Sequence, residues 1–405
     1  MNNNSNLKNR LITTAFLLMI PFVFKGIIWL AGLLLGDRDG KITGVGIPSV
    51  QFIIFCIFGV LAAKQMICIF TRKKIIANIA LSLISLLSIL FICESITGIL
   101  LYFKNRKTSL LFWEGTYYTE RFVQAYPVLG FRPAASKTVN LALRKGNKYI
   151  YNACYTTDSL RRRICPVSQY AYKYAIFFGC SYTFGEGVNN EETLPWLFGK
   201  KDTSFRTYNY GFGRYGPHQM LALLETNQLQ NEVKGDNGFA VYTFINNHVN
   251  RAICDMSTFA WAAEGPCYQN ENRHLVYKGS FRNTRPWRYT LFNILSQSNI
   301  FNYFSINIPF RLSDKDFEFI AEIILAASKE YSRQFGNDNF FVLLYPGTDM
   351  RILPFLQKNG LKVLDYSSLF RPSDAVYHIP DDVHPTAAAY KRIAKKLAVD
   401  IKQKM

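Results

Sequence analysis

Three long apolar runs near the start constrain this chain more than any other feature. The first, 11–35, is broken only by Pro21 and Lys25. The second, 50–70, holds one charge, Lys64, near its end, and the third, 76–103, holds one, Glu94. A helix needs about 20 apolar residues to cross the hydrocarbon core of a bilayer, so each run is long enough to span. A cleavable leader is the rival reading of the first run. That run exceeds a leader's apolar segment, and no small-residue cleavage site follows it closely. The expectation is a membrane anchor over 1–107 with three transmembrane helices, at about 11–35, 50–70 and 76–103.

Charge supports that division. The chain has 405 residues, with 47 Lys/Arg against 28 Asp/Glu and a formal charge of +19. Residues 1–110 hold 12 of the basic residues and three acids, Asp37, Asp39 and Glu94. The basic excess is interleaved with apolar runs there and diluted over the longer remainder. A nucleic-acid binder concentrates Lys/Arg on one face, so no nucleic-acid partner is expected. Arg72-Lys73-Lys74 crowd the second loop and place it, with the N-terminus, on the cytoplasmic side; the chain after the third run then lies outside. Lys104, Arg106 and Lys107 oppose that orientation. Glu94 reads either as a functional acid within a span or as a residue at the interface.

The remainder changes character. Residues 108–172, with Tyr118, Tyr126, Tyr151, Tyr155, Pro127 and Pro133, suggest a small β-rich lead-in. From 173 onward, short apolar runs at 173–179, 205–210, 239–245, 340–345 and 361–365 alternate with helical segments at 193–200, 217–230, 313–335 and 386–401. Ser313 and Asp316 form a capping pair for the third of these helices. Buried strands alternating with helices define an α/β domain with a parallel sheet over 173–405. Residues 252–312 break the rhythm and read as an insertion.

Ligands in such sheets bind beyond the carboxyl ends of the strands. Three segments lie there. In Gly179-Cys180-Ser181-Tyr182-Thr183-Phe184-Gly185-Glu186-Gly187, a serine among glycines follows a buried strand, which suits an exposed nucleophile. In Asp381-Asp382-Val383-His384-Pro385, Asp381 is three residues before His384, a spacing that lets a carboxylate orient a catalytic imidazole. The turn Asn209–Gly216 and the string Asn246-Asn247-His248 end the second and third strands and offer oxyanion donors. Each is an ordinary turn or helix start when taken alone. Cys180 is a minor alternative nucleophile.

Taken in order, these blocks resemble the SGNH (GDSL-type) hydrolase superfamily over about 172–402. Gly179–Gly187 is similar to its first block, Asn209–Gly216 to its second, and Asp381 with His384 to its last; Asn247 stands near the Asn of the third. The resemblance implies a flavodoxin-like three-layer α/β/α fold. It implies Ser181 as nucleophile, His384 as base and Asp381 as its partner. The oxyanion hole would be the N–H of Ser181, the Gly213/Arg214 turn and Asn247, with Asn246 and His248 as supporting candidates. The chain departs from the family in three places. Cys180 replaces the Asp of G-D-S, Arg214 stands where the second block usually has Gly, and the third block reads Ile245-Asn246-Asn247-His248.

No phosphate loop, dinucleotide motif or zinc spacing appears, and no cofactor or metal is expected. Cys154 with Cys165, or Cys254 with Cys267, form disulfides in an oxidising space or remain free thiols. Arg161-Arg162-Arg163 reads as a solvated loop or a contact to anionic lipid or polysaccharide. The expected protein is a membrane-anchored serine esterase or acyltransferase in a bacterial inner membrane, its catalytic domain on the outer face. Its substrate is an acylated envelope glycan or lipid, O-acetyl first, and transfer would require an acyl-donor membrane partner. The alternatives are a lipase or lysophospholipase and a non-catalytic carbohydrate- or lipid-binding module.

Overall fold

The computed structural model describes residues 74–108, 111–272 and 274–405, with short stretches before residue 74. The first two apolar runs lie almost wholly outside the described residues. The third forms helix α1, Lys74–Thr108. Its side chains are described without a break only over 89–104. Among the described residues, no helix is long and apolar enough to cross a membrane.

The chain divides into two compact units. One joins Met1–Ser109 to Leu295–Ile306, a piece of the expected insertion. Within it, Glu94 meets the short helix Asn299–Tyr303. The other unit, Leu110–Ile294 with Asn307–Met405, holds both the lead-in and the α/β domain.

The lead-in consists of strands β1 (Leu111–Glu114), β2 (Val123–Tyr126), β3 (Gly130–Pro133), β4 (Thr138–Lys145) and β5 (Lys148–Thr156). β1, β4 and β5 form an antiparallel sheet, and β2 pairs with β3. Alternate residues of β4 (Val139, Leu141, Leu143) and of β5 (Tyr151, Ala153, Tyr155) enter the same buried cluster as the neighbouring α/β domain. The lead-in therefore shares a core with that domain.

The α/β domain follows in chain order as β6 (Lys173–Phe178), α2 (Ser181–Phe184), α3 (Leu194–Lys201), β7 (Phe205–Asn209), α4 (Pro217–Glu225), β8 (Phe239–Phe244) and α5 (Asn247–Ile253). The insertion then adds a hairpin, β9 (Pro266–Glu271) and β10 (His274–Ser280), with α6 (Pro286–Leu295) and α7 (Asn299–Tyr303). The domain closes with α8 (Asp314–Phe335), β11 (Phe340–Leu344), β12 (Lys362–Asp365) and α9 (Ala387–Lys404). The five strands form a parallel sheet in the order β12-β11-β8-β6-β7. Every residue of central β8 is buried, as a strand covered on both faces requires.

Side-chain alternation sorts the two helical layers. Ala175 and Phe177 face the layer of α3 and α9, with Phe198, Ile393 and Leu397. Ile176 and Phe178 face that of α4 and α8, with Leu221, Ile320 and Ile324. In α8, the Ser313 N–H and hydroxyl each donate to Asp316 Oδ2 at 2.8 Å, completing the expected cap. The order of the strands places the crevice between the carboxyl ends of β6 and β8, where the direction of winding reverses.

The basic run departs from the solvated reading. Arg163 is 1% exposed. Its Nε donates to Asn190 Oδ1, its Nη1 to the carbonyls of Phe184 and Gly185, and its Nη2 to those of Cys154 and Val188, at 2.5–3.0 Å. Its guanidinium lies over Tyr155 and Phe184. Burial pushes its pKa down to about 10, so it stays charged at neutral pH. Replacing Arg163 with Met leaves these acceptors unpaired inside the core, at a cost of about 1–3 kcal/mol for each one that cannot reach water. Thermal unfolding of purified Arg163→Met protein is expected to show a large loss of stability; an unchanged midpoint would contradict this account.

Candidate active site

Ser181 is set by the turn that leaves β6. Gly179 adopts φ +151°, and a Cβ there would lie 2.2 Å from Thr183 Oγ1, so no larger residue fits. Cys180 is fully buried in the core, which removes it as a nucleophile. Ser181 opens α2, is 5% exposed, and lines a cavity of about 450 Å³. Its Oγ makes no hydrogen bond to another described residue. Asn209, at the end of β7, donates from Nδ2 to Thr183 O at 3.0 Å and accepts from the Gly211 N–H at 3.0 Å. That fixes the Ser181 turn against β7.

His384 lines the same cavity. Its carboxylate partner differs from the sequence expectation. Asp382 Oδ1 lies 2.7 Å from His384 Nδ1, whereas Asp381 turns outward at φ +58° and pairs with Lys145 Nζ at 2.9 Å. The segment does not form a helical turn, so a spacing of three does not bring Asp381 beneath the ring. Asp382 Oδ1 also accepts from the Val383 and His384 N–H groups. The Tyr182 hydroxyl donates to Val383 O at 2.5 Å, tying this loop to the residue after Ser181.

Charge around the imidazole is lopsided. Burial works to raise the Asp382 pKa, but the hydrogen bond and charge of His384, with the two backbone donors, hold it below the usual carboxylate value. For His384, burial works to lower the pKa and Arg251 adds to that. Glu186 and Asp382 outweigh them and raise it above 6.5. Glu186 Oε2 lies 3.8 Å from His384 Nε2.

The oxyanion candidates separate. Asn247 and Arg214 line the cavity with Ser181. Arg214 adopts φ +69°, the left-handed region that favours glycine, at the place where glycine was expected. Gly213 lines the adjoining cavity instead. Asn246 is engaged elsewhere, donating from Nδ2 to Gly347 O and accepting from the Asp349 N–H. His248 is fully buried, with Nδ1 2.6 Å from the Tyr242 hydroxyl, which takes it out of the cavity. All six described cysteines are free thiols. No cluster of metal-ligating side chains occurs among the described residues. Sequence reasoning missed Asp382, Glu186 and Arg251. The first two stand inside the strings quoted above, and Arg251 lies one helical turn past Asn247.

No protein-family model and no curated protein matches the chain. Among solved structures, it is similar to a member of the lipolytic protein G-D-S-L family from Veillonella parvula. That likeness has 14% identity over 57% of this chain and 100% of that one, with a TM-score of 0.33. It is also similar to an acetyl xylan esterase from the rumen bacterium Butyrivibrio proteoclasticus, at 12% identity over 59% of this chain and 64% of that one, with a TM-score of 0.35. At these values the distances inside the cavity, not the likenesses, carry the functional reading.

Two outcomes follow from the carboxylates. Asp382→Asn is expected to lower kcat for an activated ester by about 10²–10⁴-fold, through loss of the correct tautomer. Asp381→Asn, which breaks only a surface pair, is expected to change it by less than about threefold. The reverse ranking would restore Asp381. Activity needs neutral His384, and a raised pKa keeps it protonated to higher pH. The rising limb of kcat/KM is therefore expected above pH 6.5 and to move down in Glu186→Gln. An unmoved limb would remove Glu186 from the imidazole's environment.

Proposed function

We propose that this chain is a membrane-anchored serine esterase of the SGNH type that removes or transfers an acyl group, O-acetyl first, on a cell-envelope glycan. The observation that carries the reading is the 2.7 Å contact of Asp382 with His384, the imidazole that lines the same cavity as Ser181. His384 Nε2 takes the proton from Ser181 Oγ as that oxygen attacks the ester carbonyl. Asp382 fixes the Nδ1–H tautomer and stabilises the imidazolium. The Ser181 and Arg214 N–H groups and the Asn247 amide bind the oxyanion. His384 gives that proton to the departing alcohol oxygen as the ester C–O bond breaks, leaving the acyl group on Ser181. Water, or an acceptor hydroxyl, deprotonated in turn by His384, then takes the acyl group, and the proton returns to Ser181 Oγ. Catalytic hydrogen bonds commonly tighten only with substrate bound, so the unbonded Ser181 Oγ accords with this scheme.

The anchor and an outward-facing catalytic unit are supported by the three apolar runs and by Arg72-Lys73-Lys74 between the second and third. Purified full-length protein is expected to hydrolyse p-nitrophenyl acetate and to be labelled by a fluorophosphonate at Ser181. Ser181→Ala is expected to lose both. Unchanged turnover in Ser181→Ala would overturn the assignment, and absence of labelling would favour a binding module. Acetyl, longer acyl and lysophospholipid esters, compared by kcat/KM, test the acetyl preference against a lipase.

A further inference from the structure

We propose that the cavity carries an anion-binding subsite, formed by Arg251 and Arg214, which share the Trp261 ring, that selects a glycan bearing carboxylate or phosphate groups. This rests on the esterase reading for its ester, but not for its anion.

Arg251 is 8% exposed and lines the cavity of Ser181 and His384. A guanidinium has five N–H donors. The buried Arg163 uses all of its donor atoms on protein acceptors, whereas Arg251 makes one hydrogen bond, from Nη1 to Tyr215 O at 2.7 Å. Among the described residues, no carboxylate lies within ion-pairing distance of it. A buried cation without a counter-charge is costly. Its titratable neighbours do not supply one. His218 and His248 are held neutral, first by burial and then by Arg251 itself.

Arg214 adds a second positive charge to the same cavity, also without an ion-pair partner among the described residues. Both guanidiniums lie over the Trp261 ring at 5.7 Å. Two like charges at one indole repel, an anion bound to them relieves that repulsion, and guanidinium matches carboxylate and phosphate oxygens in pairs. Glu186 also lines the cavity, but it stands beside His384 Nε2.

The shape favours a sugar chain over a lipid tail. A second cavity, of about 620 Å³, shares Glu186 and Arg214 with the first. Tyr117, Tyr118, Phe131 and Trp261 supply aromatic faces to its wall. Flat aromatic surfaces accept sugar rings while leaving hydroxyls solvated.

The test is titration of full-length protein with trigalacturonate, glucose 6-phosphate and the neutral xylotriose, at about 20 mM and about 500 mM salt. At least one acidic sugar is expected to bind at least about tenfold more tightly than xylotriose and to weaken at high salt. The carboxylate and phosphate arms name the source of the anion. Arg251→Met is expected to abolish the preference, with partial rescue by Arg251→Lys. If Arg251→Met does not fold, Arg214→Met and the wild-type salt series decide. Equal binding of acidic and neutral sugars, a folded Arg251→Met that binds as wild type, or a response only to phosphatidylglycerol vesicles would overturn the subsite. Acidic-sugar binding by a protein inert toward p-nitrophenyl acetate retires the esterase reading alone. Ester turnover without acidic preference retires the subsite alone.

Discussion

The guanidinium of Arg163 is the interaction on which the placement of Ser181 depends. Its acceptors are the carbonyls that close α2, Phe184 and Gly185, together with Val188, the Asn190 side chain and Cys154 on β5. One planar, fully buried cation thus joins the lead-in sheet to the turn that follows Ser181. Lysine has the charge but not five donors in a fixed fork, so it could not satisfy the same set. Neighbouring bonds reinforce the junction: the Gly187 N–H donates to the Tyr155 hydroxyl, the Cys154 N–H to Asn189, and the Thr156 N–H to Asn190. The shared core of lead-in and α/β domain follows from this junction, because Tyr155 and Phe184 pack edge to face directly beneath it.

With Ser181 fixed from one side, His384 is fixed from the other. The His384 loop is irregular, so its shape comes from side chains: Asp382 gathers the Val383 and His384 N–H groups, and Tyr182 holds Val383 O. Tyr182 is the residue after Ser181, and its ring packs against Tyr345 and lies near His384. Ser181 and His384 are therefore registered through one aromatic side chain. The charges around them divide by function. Asp382 and Glu186 flank the imidazole and raise its pKa, while Arg214 and Arg251 lie towards Trp261 with no ion-pair partner among the described residues.

The sheet was legible because its strands are buried on both faces. A buried parallel strand reads as a short continuous apolar run, and all five runs fall on strands within a residue or two. The capped helix α8 was legible through Ser313 and Asp316. What failed was inference about irregular backbone. The spacing of Asp381 to His384 assumes a helical turn, but Asp381 sits in a left-handed conformation whose partner, Lys145, lies 236 residues away in sequence. Arg163 was misread for a related reason. Three consecutive arginines look alike in sequence, yet Arg161 reaches Gln124, Arg162 is half-buried and pairs with Asp158, and Arg163 alone of the three is fully buried. Burial of one cation in a run depends on acceptors that tertiary structure brings together, and no local pattern encodes them.

The insertion shows the same dependence on distant partners. Glu94, the one acid in the third apolar run, accepts from the Ser298 hydroxyl at 2.8 Å and from the Asn299 and Ile300 N–H groups. A carboxylate on the exposed donors of a helix's first turn is favoured by both hydrogen bonding and the helix dipole. Gly98, one turn further along α1, makes room for Asn299, since a Cβ there would lie 2.8 Å from its Nδ2. Lys104 then lies over Tyr303 at the far end of α7. Glu94 is therefore satisfied by the protein itself, which is the condition under which an acid persists in an otherwise apolar helix. The same insertion supplies Trp261 to the cavity wall some 40 residues earlier. Residues 252–312 thus perform two separable tasks in two compact units. That division explains why their composition, rich in Asn, Arg and aromatic side chains, resembles neither the apolar runs near the start nor the sheet.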